Sequence, residues 1–304
     1  MNRQVKKKQQ ESQLLLLRVG FVAPTLLFLI TFNLFPLLYN VVLSFTNKQL
    51  SQDDYDFIGC HNYRLIFDAA SNPKFGQALR TTGEFVLLSV SIELVLGFCL
   101  ALALQAKFRG KPLVLTLLLM PMMLSPAVMG LFWNLILSAH NGILNQVLGG
   151  AGLPTPHWLT DPSLKLCAVL LVDVWMWTPY MMLIALAGLN AIPGYIYEAA
   201  EIDRASRFTV FRRITLPMCA PLLLLAVLFR ATDALKQFDL VMALTGPNDA
   251  ATQTLSALLY QLTFGNQKVG LGSAYACIVL VLVIALASVF TRYLDLLAAK
   301  RQGV

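Results

Sequence analysis

Charge is scarce in this chain. Asp, Glu, Lys and Arg make up 13% of its 304 residues, against about 25% in an ordinary soluble protein. With 57% hydrophobic residues as well, an aqueous enzyme and a disordered scaffold are both excluded. Cysteine is sparse and shows no paired spacing. Cys60, Cys99, Cys167, Cys219 and Cys277 are scattered, mostly in apolar runs, and read as packing thiols rather than a disulfide framework, metal site or redox pair. His61, His140 and His157 lack ligand spacing, so no metal is implied. A Gly-rich phosphate loop followed by Lys-Ser or Lys-Thr is missing, so the chain does not bind ATP by that route. Internal repeats and low-complexity tracts are missing too.

Long apolar runs take their place. A bilayer-crossing helix needs roughly 20 mostly apolar residues, and such runs fall at Val19–Ser44, Leu79–Ala106, Leu113–Leu137, Leu164–Asn190, Met218–Leu244 and Leu271–Tyr293. In lipid the backbone must satisfy its own hydrogen bonds, so an all-α, polytopic membrane protein with six transmembrane helices is expected. Residues 1–18 form a basic tail. The first run resembles a secretory signal but is too long and lacks an evident small-residue cleavage site, so an uncleaved span is expected. The membrane domain then covers 19–304.

The net charge of +7 is split among short loops, which argues against a nucleic-acid footprint. With the tail inside, the inner segments hold roughly fifteen basic residues against six outside. Arg3, Lys6, Lys7, Lys8, Arg18, Lys107, Arg109 and Lys111 count on that side, as do Arg204, Arg207, Arg212, Arg213, Arg292, Lys300 and Arg301. Both termini are expected in the cytoplasm.

The inner loop 191–217 is far from random. Pro193-Gly194 is expected to end the fourth span, and Pro217 to sit in the first turn of the fifth, where a missing N–H is tolerated. Between them, Glu198 to Ala205 reads as a short helix with acids near its start. Ala199 and Ala200 leave a small-sided face that another backbone could approach, with Phe208, Phe211 and Ile214 as an apolar face beyond. On these residues alone, an amphipathic helix resting on headgroups competes with a docking helix.

Glu198-Ala199-Ala200, Asp203 three residues on, then Ala205 and Ile214-Thr215-Leu216-Pro217 resemble the EAA loop of ABC-importer permeases. Phe57-Ile58-Gly59 with Asn62-Tyr63, Asn141 to Asn145, and Leu244-Thr245-Gly246-Pro247 are similar to loops of carbohydrate-type permeases such as the larger membrane subunit of maltose importers. The resemblance covers nearly the whole chain beyond the tail. It implies the type I ABC-importer permease fold with a cytoplasmic coupling helix seated on an ATPase, involving Glu198, Ala199, Ala200, Asp203, Arg204 and Ala205. It also implies a bacterial inner-membrane location and, as partners, a second homologous permease, two ATPase subunits that bind ATP and Mg, and a periplasmic solute-binding protein. The family pattern has Gly where this chain has Arg204. Arg in a left-handed turn costs about 1–2 kcal/mol, so a reshaped turn or an earlier second helix is expected.

Charges within spans are expensive and mark candidate sites. Glu93 and Asp173 stand mid-span, and Arg230, Asp233, Lys236 and Asp239 follow one another in the fifth run. Arg230 and Asp233, three apart, share a helix face and can pair. Asp173 lies beside Trp175 and Trp177, which offer an acceptor and aromatic plates for a sugar; an interfacial aromatic belt is the competing reading. The resemblance extends the solute-lining set to Asp173, Trp175, Met176, Trp177, Met122, Pro126, Arg230 and Ala234, although the relatives carry an amide in place of Asp173. Pro121 and Pro126 predict a bent third span, and Glu93 reads as a structural group facing the bundle. If Arg230 faces the solute, an acidic sugar or sugar ester becomes plausible; if it pairs with Asp233, it fixes packing. The expected function is ATP-driven import of a sugar or sugar derivative by a non-enzymatic permease subunit without its own cofactor. The alternative is an ion-coupled secondary transporter using Glu93, Asp173 and Asp239, against which the missing repeats count.

Overall fold

The computed structural model describes residues 20–68, 73–106 and 108–302, with side chains to residue 296. The basic tail 1–18, Val19 and Lys107 lie outside the described residues, as do the side chains of Lys300 and Arg301. The helices are α1 (Gly20–Leu43), α2 (His61–Phe67), α3 (Pro73–Gln105), α4 (Lys111–Leu119), α5 (Pro126–Ile136) and α6 (Ile143–Gly150). They continue with α7 (Pro162–Asn190), α8 (Gly194–Ile202), α9 (Arg207–Ala234), α10 (Asp239–Leu244), α11 (Leu255–Tyr260) and α12 (Val269–Gln302). Among the described residues, α1, α3, α7, α9 and α12 are long and apolar enough to cross a membrane.

The third expected span departs from a single helix. Leu113–Leu137 is divided into α4, a tight turn at Pro121–Met123 and α5. Leu124 is extended at φ −94°. Pro121 and Pro126 each remove an N–H, and Pro126 holds Ser125 extended at ψ 134° while Met120 before Pro121 stays helical, so the helix breaks at Leu124–Ser125 where it was expected to bend. The fifth expected span is shifted as well. It starts at Arg207 rather than near Pro217 and stops at Ala234, leaving Lys236 outside it and Asp239 at the start of α10. A wide turn at Phe211–Thr215 precedes Pro217, giving the helix slack where the proline cannot donate.

Two compact units are present. One comprises the described residues of 20–65 with Leu262–Cys277. There Asn62 donates its side-chain N–H groups to the carbonyls of Ser44 (2.9 Å) and Thr46 (2.8 Å). The Ser44 hydroxyl meets that of Tyr63 at 2.8 Å. These contacts account for the Asn62-Tyr63 pair in an otherwise polar loop. A Cβ on Gly270 would lie 2.1 Å from the Thr46 carbonyl oxygen, so that crossing requires glycine.

The other unit comprises the described residues of 66–261 with those of 278–302, and its centre is α3 packed along α7. Gly97 makes the approach possible, since a Cβ there would stand 2.6 Å from that of Met181. Pro162 opens α7, and Asp161 caps it by accepting the Ser163 N–H. Phe85, Val172, Met176, Ala231, Ala234 and Leu240 form one buried cluster. Phe98, Met182, Leu189, Cys219 and Leu223 form a second, nearer the 191–217 loop.

Candidate functional site

Three helices bring charge together inside the first of these clusters. Arg230 on α9, Glu93 on α3 and Asp173 on α7 have side chains 2%, 0% and 0% exposed. The guanidinium donates through Nε to Glu93 Oε2 (2.8 Å) and through Nη2 to Glu93 Oε1 (3.0 Å), a fork-on-fork pair. Nη2 also donates to Asp173 Oδ2. The other Asp173 oxygen accepts from the side-chain amide of Gln237 at 3.0 Å. One guanidinium face lies over the Trp177 ring, 5.1 Å from its centroid, a cation–π geometry. Burying such charges is costly unless each is paired and hydrogen-bonded, and here each of the three is.

Asp233 meets Arg230 at 3.6 Å through Nη1, with its own side chain 55% exposed. The pair read from three-residue spacing therefore exists, but as the outermost arm of a larger network. Spacing in the sequence links neither Glu93 nor Asp173 to Arg230, nor Gln237 to Asp173. A usable signal was charge parity: Glu93 and Asp173 sit in apolar surroundings that hold one nearby base, and a buried charge needs a counter-ion.

The remaining solute-lining candidates separate. Trp177 borders the charged network and meets Tyr180 edge to face at 6.4 Å. Trp175, two residues away, projects to another side because successive helical residues rotate by about 100°. It packs edge to face on Trp133 at 5.5 Å and lines an apolar crevice of about 460 Å³ with Leu96, Leu100, Leu117, Leu171 and Pro179. Met176 and Ala234 are core residues. Met122 and Pro126 are partly buried at the break between α4 and α5.

The 191–217 loop folds as helix, turn, helix. Its first helix, α8, begins at Gly194, four residues before Glu198. The acids therefore do not complement the helix start, contrary to the expectation. Ala200 turns inward while Glu198, Ala199, Asp203 and Arg204 are exposed and Ala205 is half-buried. Arg204 adopts φ +51°. Its N–H donates to the Glu201 carbonyl (3.0 Å), and that of Ala205 to the Ala200 carbonyl (2.9 Å), the pairing of a Schellman turn. Contrary to the expected reshaping, Arg204 itself holds the left-handed position of this turn, and Ser206 caps the next helix by accepting the Thr209 N–H at 3.2 Å. Of the expected apolar face, Phe208 is exposed, whereas Phe211 packs on Phe98 with ring centroids 6.0 Å apart.

Comparison with known proteins bears on both regions. Residues 93–300 match the family described as binding-protein-dependent transport system inner membrane component. The chain is 36% identical over 257 residues to Probable ABC transporter permease protein y4oQ of Sinorhizobium fredii, covering 83% of this chain and 82% of that one. It is 32% identical over 271 residues to Trehalose/maltose transport system permease protein MalF of Thermococcus litoralis, covering 89% and 91%. In fold it is similar to a chain of a bacterial ABC transporter involved in import of the acidic polysaccharide alginate. That likeness has a TM-score of 0.81 at 20% identity and spans 96% of this chain and 99% of the other.

Proposed function

This chain belongs to the family of binding-protein-dependent transport system inner membrane components, and we propose that it imports a sugar or sugar derivative with a second homologous permease, two ATPase subunits and a periplasmic binding protein. It is the membrane permease component of a carbohydrate ABC importer, multi-pass in the bacterial inner membrane. Such a component is not itself an enzyme. Family membership displaces the ion-coupled alternative.

The finer topology follows by argument. α4 and α5 span about 14 and 17 Å at 1.5 Å per residue, together close to the roughly 30 Å hydrocarbon thickness. We take them as the two halves of a sixth crossing, so that both termini and the 191–217 loop share one side of the membrane, the cytoplasmic one on the bias of basic residues. α8 is then the coupling helix. The observation that carries this is its exposure pattern: Ala200 faces in, while Glu198, Ala199 and Ile202 face out, a shallow surface that a groove can receive. ATP-driven closure of the ATPases would bias the permease between two arrangements through differential contacts made here. Of the expected lining set, Asp173, Trp177 and Arg230 mark the region where the solute passes, whereas Trp175 lines the separate apolar crevice, Met176 and Ala234 are packed in the core, and Met122 and Pro126 flank the break between α4 and α5.

Ala199→Lys tests the assignment. Co-purification of the ATPases with the permease pair is expected to fall sharply while the thermal stability of the pair holds. Unchanged assembly would discard the coupling role.

A further inference from the structure

We infer that the solute passing Arg230 is uncharged and hydroxyl-rich, because the arginine is enclosed and neutralised and the charge left accessible beside it is the carboxylate of Asp233. This rests on the carbohydrate reading above and narrows it.

An arginine in a solute pathway ordinarily points to an anionic ligand, since its fork of N–H groups matches a carboxylate, phosphate or sulfonate. Here the fork is taken. Glu93 occupies Nε and one Nη2 direction, and Asp173 occupies Nη2 as well. Nη1 faces Asp233, and Trp177 covers one flat side. The side chain is 2% exposed. Even with one buried carboxyl protonated, the other neutralises the guanidinium, so no positive surplus remains to hold an anion. Lys236 and Asp239, both exposed, follow in the segment after α9. Their charges offset one another, so the Asp233 carboxylate is the accessible charge that a solute beside Arg230 meets, and it repels an anion.

What remains suits a neutral glycoside or polyol. Asp233 is half exposed and ion-paired loosely at 3.6 Å, so its oxygens can accept hydroxyl protons. Trp177 and Tyr180 supply partly buried rings beside it for the C–H face of a sugar. Arg230 thus acts as a positioning residue that holds Asp173 and Trp177.

The test uses the purified complex of both permeases and the ATPases, with the binding protein omitted so that the membrane site alone is read. Equilibrium binding is measured for matched tritiated pairs: glucosylglycerol with its 6-sulfonate analogue, and trehalose with trehalose 6-phosphate. The neutral member of at least one pair is expected to bind at least about tenfold more tightly than the anionic member. Asp233→Asn, at an exposed position, is expected to narrow that ratio several-fold, and Glu93→Gln to do so where the variant folds. Equal or tighter binding of the anionic member overturns the inference and leaves the carbohydrate reading standing. A preference untouched by Asp233→Asn also overturns it, since the discrimination then arises elsewhere. If no member of either pair binds, the inference falls, because the membrane site then shows no preference for a neutral glycoside; the carbohydrate reading is judged separately, by ATP-driven uptake of a panel of sugars and polyols by the complete system in proteoliposomes.

Discussion

Replacing Arg230 with Met removes a guanidinium that holds Glu93 through two bonds and Asp173 through a third. Methionine fills much of the stem's volume, so the change is chiefly electrostatic. It leaves two carboxylates with side chains 0% exposed and, for Asp173, the amide of Gln237 as a remaining donor. Breaking a buried pair from one side costs about 3–5 kcal/mol, a large share of the roughly 5–15 kcal/mol that holds a typical domain together. Solvent screening gives little relief at this depth. Glu93→Gln in the same background removes one of the stranded charges, so the double variant is expected to regain about 1–3 kcal/mol relative to additive losses. The assay is the midpoint of SDS-induced unfolding of the purified complex, followed by tryptophan fluorescence for the wild type, both single variants and the double variant. Penalties that simply add would refute the reasoning, because they would show that Arg230 and Glu93 do not share a free energy.

Arg204→Gly relieves a left-handed side chain at φ +51° and is expected to stabilise the turn by about 0.5–1 kcal/mol, read as slower amide hydrogen exchange at residues 204 and 205; unchanged or faster exchange contradicts it. Gly97→Ala places a Cβ 2.6 Å from that of Met181 and is expected to cost about 1–3 kcal/mol by forcing α3 from α7, measured in the same SDS titration. The Asp161 carboxylate is held below its usual range by the Ser163 hydroxyl and N–H. With the folded value depressed, this cap's contribution is complete above the unfolded value of about 3.9 and is lost as pH falls through the folded value. Exchange protection at the start of α7 is therefore expected to decline at acidic pH in the wild type and to lose that dependence in Asp161→Asn.

The long spans were legible because nothing but helix satisfies the backbone through runs such as 79–106 or 164–190. The break at Pro121–Ser125 was not, since leucine and methionine keep the run apolar whether it is one helix or two. The start of α9 was missed because Pro217 looks like a first-turn proline, whereas the wide turn before it lets the helix begin ten residues earlier. Within the site, local spacing revealed the Arg230–Asp233 contact but not the stronger partners. Glu93 lies 137 residues from Arg230, and their meeting depends on how α3, α7 and α9 stack. The separation of Trp175 from Trp177 follows from the helical rotation once both are known to share α7.

α9 joins the exposed loop to the buried charges without a break, from Arg207 to Ala234. The stretch from Arg207 to Arg230 measures about 35 Å along its axis, so tilting this rod by about 5° about one end carries the other through about 3 Å. Its softened stretch, the wide turn at Phe211–Thr215 followed by Pro217 and Pro221, which cannot donate, lies toward the loop, and the regular remainder from Leu222 carries the guanidinium. A nudge to the loop is thus geared directly into a stroke at Arg230, and any rotation of α9 must either drag Glu93 and Asp173 along or tear them loose.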